Sequence, residues 1–181
     1  MAKLIASTYA NALFELAIEK NKTDDWLKEI ESIKNILDTN PQFGQLMLHP
    51  SVMKEEKLKL VSEAFDGNVD AEIVGLIRII IEKDRYTEID AILDEFISTV
   101  KNYEGIGVAY VSTAMELSEA QKKSVESKLL DTTNYKTMEM HYSVDKDIIG
   151  GMVVRIGDRV LDSSIRTKLD GLKRQLLQVQ V

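Results

Sequence analysis

Two histidines, His49 and His141, and no cysteine set a low ceiling on the chemistry that this chain of 181 residues can perform. Thiolate nucleophiles, Cys-ligated zinc and iron–sulfur clusters are excluded, and two histidines cannot build a multi-histidine metal centre. His141 falls on the polar side of an alternating segment, and His49 stands before a proline at the end of a predicted helix with no partner for catalysis. Adjacent carboxylates, Asp24-Asp25 and Glu55-Glu56, occupy first turns of predicted helices, where the helix dipole accounts for them. The glycines at 105, 107, 150, 151 and 157 reproduce neither a phosphate-binding loop nor a dinucleotide fingerprint. Gly150-Gly151, inside an apolar stretch, reads as a bulge or a close backbone approach. No serine stands in a nucleophile-elbow context. The expectation is a chain that is not an enzyme, with no catalytic residue, cofactor or metal.

Charge directs attention to binding instead. The chain carries 23 Lys and Arg against 30 Asp and Glu, a net charge of −7. Residues 1–105 hold 12 basic against 20 acidic side chains, a net of −8, whereas the remainder holds 11 against 10, a net of +1. Overall acidity disfavours nucleic acid as a partner. From Arg155 onward the balance reverses: Arg155, Arg159, Arg166, Lys168, Lys173 and Arg174 face only Asp158, Asp162 and Asp170. Two halves of opposite sign suggest two different partners. A 44% hydrophobic content with two prolines and nine glycines excludes a disordered chain. No stretch approaches the ~18–20 apolar residues of a membrane span, and the N-terminus resembles no leader. A cytosolic chain without membrane insertion is expected, one that a partner could still hold at a membrane.

The elements fall into two blocks. Up to residue 105 the periodicity is helical throughout, giving six helices: about Leu4 to Lys20, one capped by Thr23, a short one through Phe43 and Met47, one capped by Ser51, one over Asp70 to Lys83, and one opened by Thr87 with Asp90. Gly105-Ile106-Gly107 breaks this pattern. Beyond it come a strand over Val108 to Ala114, a helix opened by a Ser118/Gln121 capping box, and an alternating strand around Met138 to Val144. A strand over Ile148 to Ile156, a hairpin at Gly157-Asp158 leading into a strand at Arg159-Val160-Leu161, and a final helix capped by Ser163 or Ser164 complete the chain. The fold class is therefore two-domain: an all-α six-helix bundle over 1–105, followed by a small α/β domain of order β-α-β-β-β-α over 106–181.

Two helices carry more apolar surface than expected, and the last invites two readings. The first spreads its apolar residues over about 200° of the wheel, against the ~100° stripe that a surface helix needs. One part holds Ile5, Tyr9, Ala12 and Leu16; the adjacent part holds Ala6, Ala10 and Ala17, bordered by Leu13 and Phe14. The fifth spans about 160° with Ile73, Val74, Leu76, Ile77, Ile80 and Ile81, while Ile79 points elsewhere. Two accounts compete: these are the most buried members of the bundle, or they flank a groove for an amphipathic helix from another chain. In the last helix the stripe Ile165, Leu169, Leu172 and Leu176 reads as a core face, with Leu177 extending it and basic residues alongside that suit an acidic helical partner.

Several stretches resemble a known family. They are Ala6-Ser7-Thr8-Tyr9-Ala10-Asn11-Ala12-Leu13-Phe14-Glu15-Leu16-Ala17, His49-Pro50-Ser51 with Lys54-Glu55-Glu56-Lys57, and Ile148 through Asp158 with Asp162-Ser163-Ser164-Ile165. Together with the helical-then-mixed order, they resemble the delta subunit of bacterial F-type ATP synthase, which is similar to the mitochondrial oligomycin-sensitivity-conferring protein. The resemblance implies a non-catalytic peripheral-stalk (stator) subunit of the proton-translocating complex, peripheral at the cytoplasmic face of the cell membrane. It also implies that the six-helix domain receives the N-terminal helix of an alpha subunit between its first and fifth helices. Combined with the helix wheels, this nominates Ala6, Ala10, Leu13, Phe14, Ala17, Val74, Arg78 and Ile81 for that contact. For the C-terminal ends of the b subunits it nominates Ile165, Leu169, Leu172, Leu176 and Leu177. A bulky residue at Ala10 is then expected to leave the bundle folded and weaken head binding. The rival is a helix-in-groove adaptor of another soluble or membrane-associated complex, which a pull-down recovering alpha, beta and b chains would separate.

Overall fold

The computed structural model describes residues 2–65 and 67–179, and over them the chain forms eight α-helices and a four-stranded mixed sheet. It divides into two compact units, one ending at Lys101 and the other starting at Asn102. The helix that closes the first unit runs on to Glu104, so the division precedes the Gly105 boundary read from the sequence.

The first unit holds α1 (Ala2–Glu19), α2 (Thr23–Thr39), α3 (Pro41–Leu48), α4 (Lys54–Phe65), α5 (Ala71–Glu82) and α6 (Ile89–Glu104). Pro41 opens α3 at a position whose N–H would have no helical partner. Three expected caps do not form. Thr23 is the first residue of α2, preceded by Lys22 with no side-chain cap. Ser51 lies in the turn before α4, and its backbone N–H donates to His49 Nδ1 at 3.2 Å. A 3-10 turn over Tyr86–Glu88 takes up Thr87, so α6 starts at Ile89. The interior is one apolar cluster in which Trp26, Ile30, Ile73, Ile80, Leu93 and Phe96 are sealed from solvent. Each such side chain contributes roughly 1.5–3 kcal/mol by leaving water.

Polar ties fix α5 against the chain's first turns. Asp70 precedes α5, yet its carboxylate turns back towards α2 instead of capping its own helix. It accepts from Lys22 Nζ at 2.8 and 3.1 Å and from the indole N–H of the buried Trp26. The Asp70 backbone N–H donates to a Glu29 carboxylate oxygen at 2.9 Å. Lys20 pairs with Glu72 beside this clasp. Past the other end of α5, Arg85 donates to Tyr9 Oη at 3.3 Å and stands over its ring. With residue 20 tied to residue 72 and residue 9 to residue 85, α1 and α5 lie antiparallel.

The second unit is a sheet of β1 (Ile106–Thr113), β2 (Thr137–Val144), β3 (Met152–Ile156) and β4 (Arg159–Asp162), in the order β2-β1-β3-β4. Helix α7 (Glu119–Thr132) makes the crossover between the parallel strands β1 and β2, while β3 and β4 pair antiparallel. Ser118 and Gln121 form the reciprocal capping box at the start of α7. The strand expected from Ile148 begins only at Met152. Ile148 closes a 3-10 turn, and Gly150-Gly151 form a tight connection. Gly151 has φ +81°, and a Cβ there would meet the Ser163 carbonyl oxygen at 2.5 Å, so the close backbone approach is its role. The terminal helix α8 (Ile165–Val179) follows β4.

The hydrogen bonds from Lys22 and Trp26 hold the Asp70 carboxyl below its usual range. A carboxylate whose pKa is depressed on folding adds stability above its unfolded pKa of about 3.9 and loses it as pH falls through the lower folded value. Asp70→Asn is therefore expected to lower the unfolding temperature at pH 7. The gap to the parent protein should narrow below about pH 4, as followed by Trp26 fluorescence during thermal unfolding across pH 7 to 2.

Candidate partner-docking surfaces

Docking requires side chains that are apolar and outward-facing, and α1 separates these two properties. Ala6, Ala10, Leu13 and Ala17 are buried, Ala10 and Ala17 completely so, and Val74 and Ile81 of α5 are buried as well. These six residues form the unit's own core and do not line an open slot, which corrects their expected exposure. The wheel explains the outcome. At ~100° per residue, Leu13, Ala6, Ala17 and Ala10 lie in the middle of the apolar arc, with Ile5, Leu16 and Tyr9 on one flank and Phe14 on the other. A helix turns the centre of its arc inward, and small residues there let its backbone come close. Phe14 is half-buried against the core, and Arg78 is exposed.

The surplus left over lies on the flank towards α5. Ile5 and Tyr9 are half-buried, Ala12 is exposed, and Leu16 is 40% exposed. On α5, Ile79 is 46% exposed, beside the exposed Arg78 and the half-buried Gly75. The Lys20–Glu72 and Tyr9–Arg85 ties bring these two stripes to neighbouring edges of the antiparallel pair. Gly75 is informative because a Cβ added there would meet nothing within 4 Å. Glycine inside a helix costs roughly 1 kcal/mol relative to alanine, and the chain's own packing gives no reason for it. The sequence places Ile5, Tyr9, Ala12 and Leu16 in the wide α1 arc and sets Ile79 apart, but these residues and Gly75 are not among those it nominates for the contact. A separate concavity of about 370 Å³ is lined by residues of α2, α4 and the segment after α4, among them Ile33, Ile36, Phe65 and Val69, and by none from α1 or α5.

The second unit offers a different surface. Helix α8 is held firmly at its foot. Ser164 Oγ accepts from the Thr167 N–H at 3.2 Å, Asp162 accepts from the Ser164 N–H at 2.8 Å and from the Thr167 hydroxyl at 2.7 Å, and the Ile165 N–H donates to the Gly150 carbonyl at 2.8 Å. The Thr167 hydroxyl and then the Ser164 N–H depress the Asp162 carboxyl. Past this foot the apolar stripe is uncovered. Ile165, Leu169, Leu172 and Leu177 are exposed, and Leu176 is 70% exposed. The reading of this stripe as a core face is thus corrected, and all five nominated residues look outward. Beside the foot, Ile149 adopts φ +65° with its side chain 61% exposed. That conformation is disfavoured for a β-branched residue.

No chemistry emerges elsewhere among the described residues. On the exposed side of the sheet His141 stacks on Tyr110 with ring centroids 4.9 Å apart and meets a Glu139 carboxylate oxygen at 2.9 Å, while Arg155 covers the other neighbour position of Tyr110. This is a cross-strand row of surface side chains. No group of three or more His, Cys, Asp or Glu stands ready for a metal among the described residues, and no described helix is long and apolar enough to cross a membrane.

The family model for the ATP synthase delta (OSCP) subunit matches residues 5–176. A protein from Lachnoclostridium phytofermentans called ATP synthase subunit delta is 44% identical over the full length of both chains. One of the same name from Shouchella clausii is 32% identical over 98% of each. A chain in the cryo-EM structure of the Toxoplasma gondii mitochondrial ATP synthase hexamer has a similar fold, with a TM-score of 0.73 at 22% identity, covering 95% of this chain and 97% of that one.

Burial separates two substitutions on α1. Ala10→Trp forces a large ring into a filled core and is expected to destabilise the helical unit by about 3 kcal/mol or to prevent folding. Ala12→Trp, two residues on and exposed, is expected to shift stability by less than about 0.5 kcal/mol. Urea unfolding followed by circular dichroism checks both.

Proposed function

The chain belongs to the ATP synthase delta (OSCP) subunit family, and we propose that it acts as the peripheral-stalk (stator) subunit of an F-type ATP synthase, non-catalytic itself. In this reading the helical unit over 1–105 is a six-helix bundle that seats the N-terminal helix of an alpha subunit at the top of the catalytic head. The α/β unit over 106–181 meets the C-terminal ends of the b subunits through α8. The complex works at the cytoplasmic face of the cell membrane, with this subunit attached peripherally.

One observation carries the assignment of the first joint: outward apolar stripes on α1 and α5 flank a glycine that the chain's own fold does not require. Ile5, Tyr9, Ala12 and Leu16 supply one wall, and Arg78 and Ile79 supply the other, with Gly75 allowing a guest backbone to approach. Of the residues nominated from sequence, Arg78 stays within reach of a guest helix, whereas Phe14 lies on the opposite flank of α1, half-buried against the core. The buried alanines act by holding α1 close to the core, which fixes the angle of the outer stripe.

The mechanism is mechanical. Torque on the rotor tends to turn the head, and a stator transmits no rotation while its joints outlast each catalytic cycle. Apolar burial along a helix serves this by slowing dissociation, where most affinity differences reside. A second joint on the other unit keeps a released helix at high effective concentration, so rebinding outruns loss.

Gly75→Ala gives opposite signs for two readouts. Folding stability is expected to rise by up to about 1 kcal/mol, because helix propensity improves and the added Cβ meets no neighbour. Affinity for a peptide of the alpha N-terminal helix is expected to fall, as is that of Leu16→Glu combined with Ile79→Glu. Calorimetric titration with that peptide tests the assignment, and unchanged affinity in both variants would remove the α1/α5 edge from the joint.

A further inference from the structure

The exposed side chains of α8 are spaced as a coiled-coil seam. Ile165, Leu169, Leu172 and Leu176 follow a four-three-four pattern, which is the a/d alternation of a heptad. With Leu169 and Leu176 at a positions and Ile165 and Leu172 at d, the e positions are Arg166 and Lys173 and the g positions are Lys168 and Gln175. The seam is therefore flanked by three cations and no anion. Asp170, an acid on the same helix, falls at b, away from the seam. Among the described residues, the hydrogen bonds that tie α8 to its unit lie at its foot, through Asp162, Ser164 and the Gly150 carbonyl, and the leucines beyond the foot are exposed.

We propose that α8 is half of a coiled coil whose other half is a helix with apolar a/d residues and acidic e/g residues, and that its basic flanks exclude a second copy of this chain. The inference rests on the reading of the second unit as the stalk-facing unit and names the chemistry of the partner there. In a parallel self-pair Lys168 of one copy would face Lys173 of the other, and in an antiparallel one Arg166 and Lys173 would face each other across the e positions. Either arrangement places like charges at every charged contact along the seam, and such flanks set partner choice in coiled coils. An acidic helix turns each repulsion into an attraction and matches the +1 charge of residues 106–181 better than the −8 charge of residues 1–105 does.

The test uses the full chain and two synthetic helices with leucine at every a and d, one with glutamate and one with lysine at every e and g. The glutamate helix is expected to bind, more weakly as salt rises, and the lysine helix to bind at least about tenfold more weakly. The triple variant Arg166→Glu, Lys168→Glu, Lys173→Glu, altered only at exposed positions, is expected to reverse that preference and to keep the parent circular dichroism. Equal binding of both helices, binding of neither, or sedimentation of the chain alone as a dimer that Leu172→Arg disperses would overturn the proposal. A peptide from the C-terminal end of a b chain separates it from the stalk reading. A peptide that binds the parent and the triple variant equally sinks the charge selection and spares the stalk reading, whereas reversal with the synthetic helices and no binding of the peptide does the opposite.

Discussion

Helix α1 can turn only part of its circumference towards the core, and that limit decides which of its apolar side chains are available to anything else. Its apolar arc of about 200° is nearly twice what a surface helix needs. The centre of the arc, Ala6, Ala10, Leu13 and Ala17, goes inward. Small residues there let the helix come close to the core, and on the flank towards α5 Tyr9 reaches Arg85 and Lys20 reaches Glu72. The flank left outside holds Ile5, Ala12 and Leu16. Larger residues at the alanine positions would push α1 away and break both ties, so packing inside the unit and surface outside it are set by the same four side chains.

Helix α5 meets the opposite situation. Its wide arc is consumed entirely by the interior, with all six of its main apolar residues buried. Ile79 is the large apolar side chain of α5 that stays exposed, beside Arg78 and Gly75. The clasp at Asp70 makes this tolerable for a helix so apolar. By fixing the start of α5 to Lys22 and Trp26, it defines which face turns inward and leaves little freedom for rotation about the helix axis.

Much of the architecture was legible because periodicity is a local property. Six helical segments, the change of period after Gly105 and the capping box at Ser118 were all visible in the chain. The misread caps at Thr23, Ser51 and Thr87 share one cause: a serine or threonine before a helical run fits several turn geometries, and neighbouring backbone bonds choose among them. The strand expected at Ile148 failed because an apolar run does not distinguish a strand from a turn that buries one isoleucine. In the candidate site, most of the side chains nominated on α1 and α5 are the ones that the unit's own core takes up. Which part of an over-wide arc turns inward depends on where the neighbouring helices stand, and no single helix encodes that. For α8 the error ran the other way. Its stripe has the pattern of a core face, and only the small size of the sheet, with buried side chains confined to a few positions such as Ala109, Val111 and Val154, leaves it without a surface to cover.

In the proposed stator reading, magnitudes favour two joints over one. The α8 seam offers four large apolar side chains, each contributing roughly 1.5–3 kcal/mol when fully buried. Association itself costs about 4–15 kcal/mol in lost freedom, so this seam alone gives a bond of modest strength. The α1/α5 edge is of similar extent, with Ile5, Leu16 and Ile79 as its main apolar members. Joined through one chain, however, the second contact forms at an effective concentration near millimolar instead of from dilute solution, which strengthens the whole by 10²–10⁴-fold or so without any new contact. In that reading two moderate surfaces on two units hold under load together, although neither is extensive by itself.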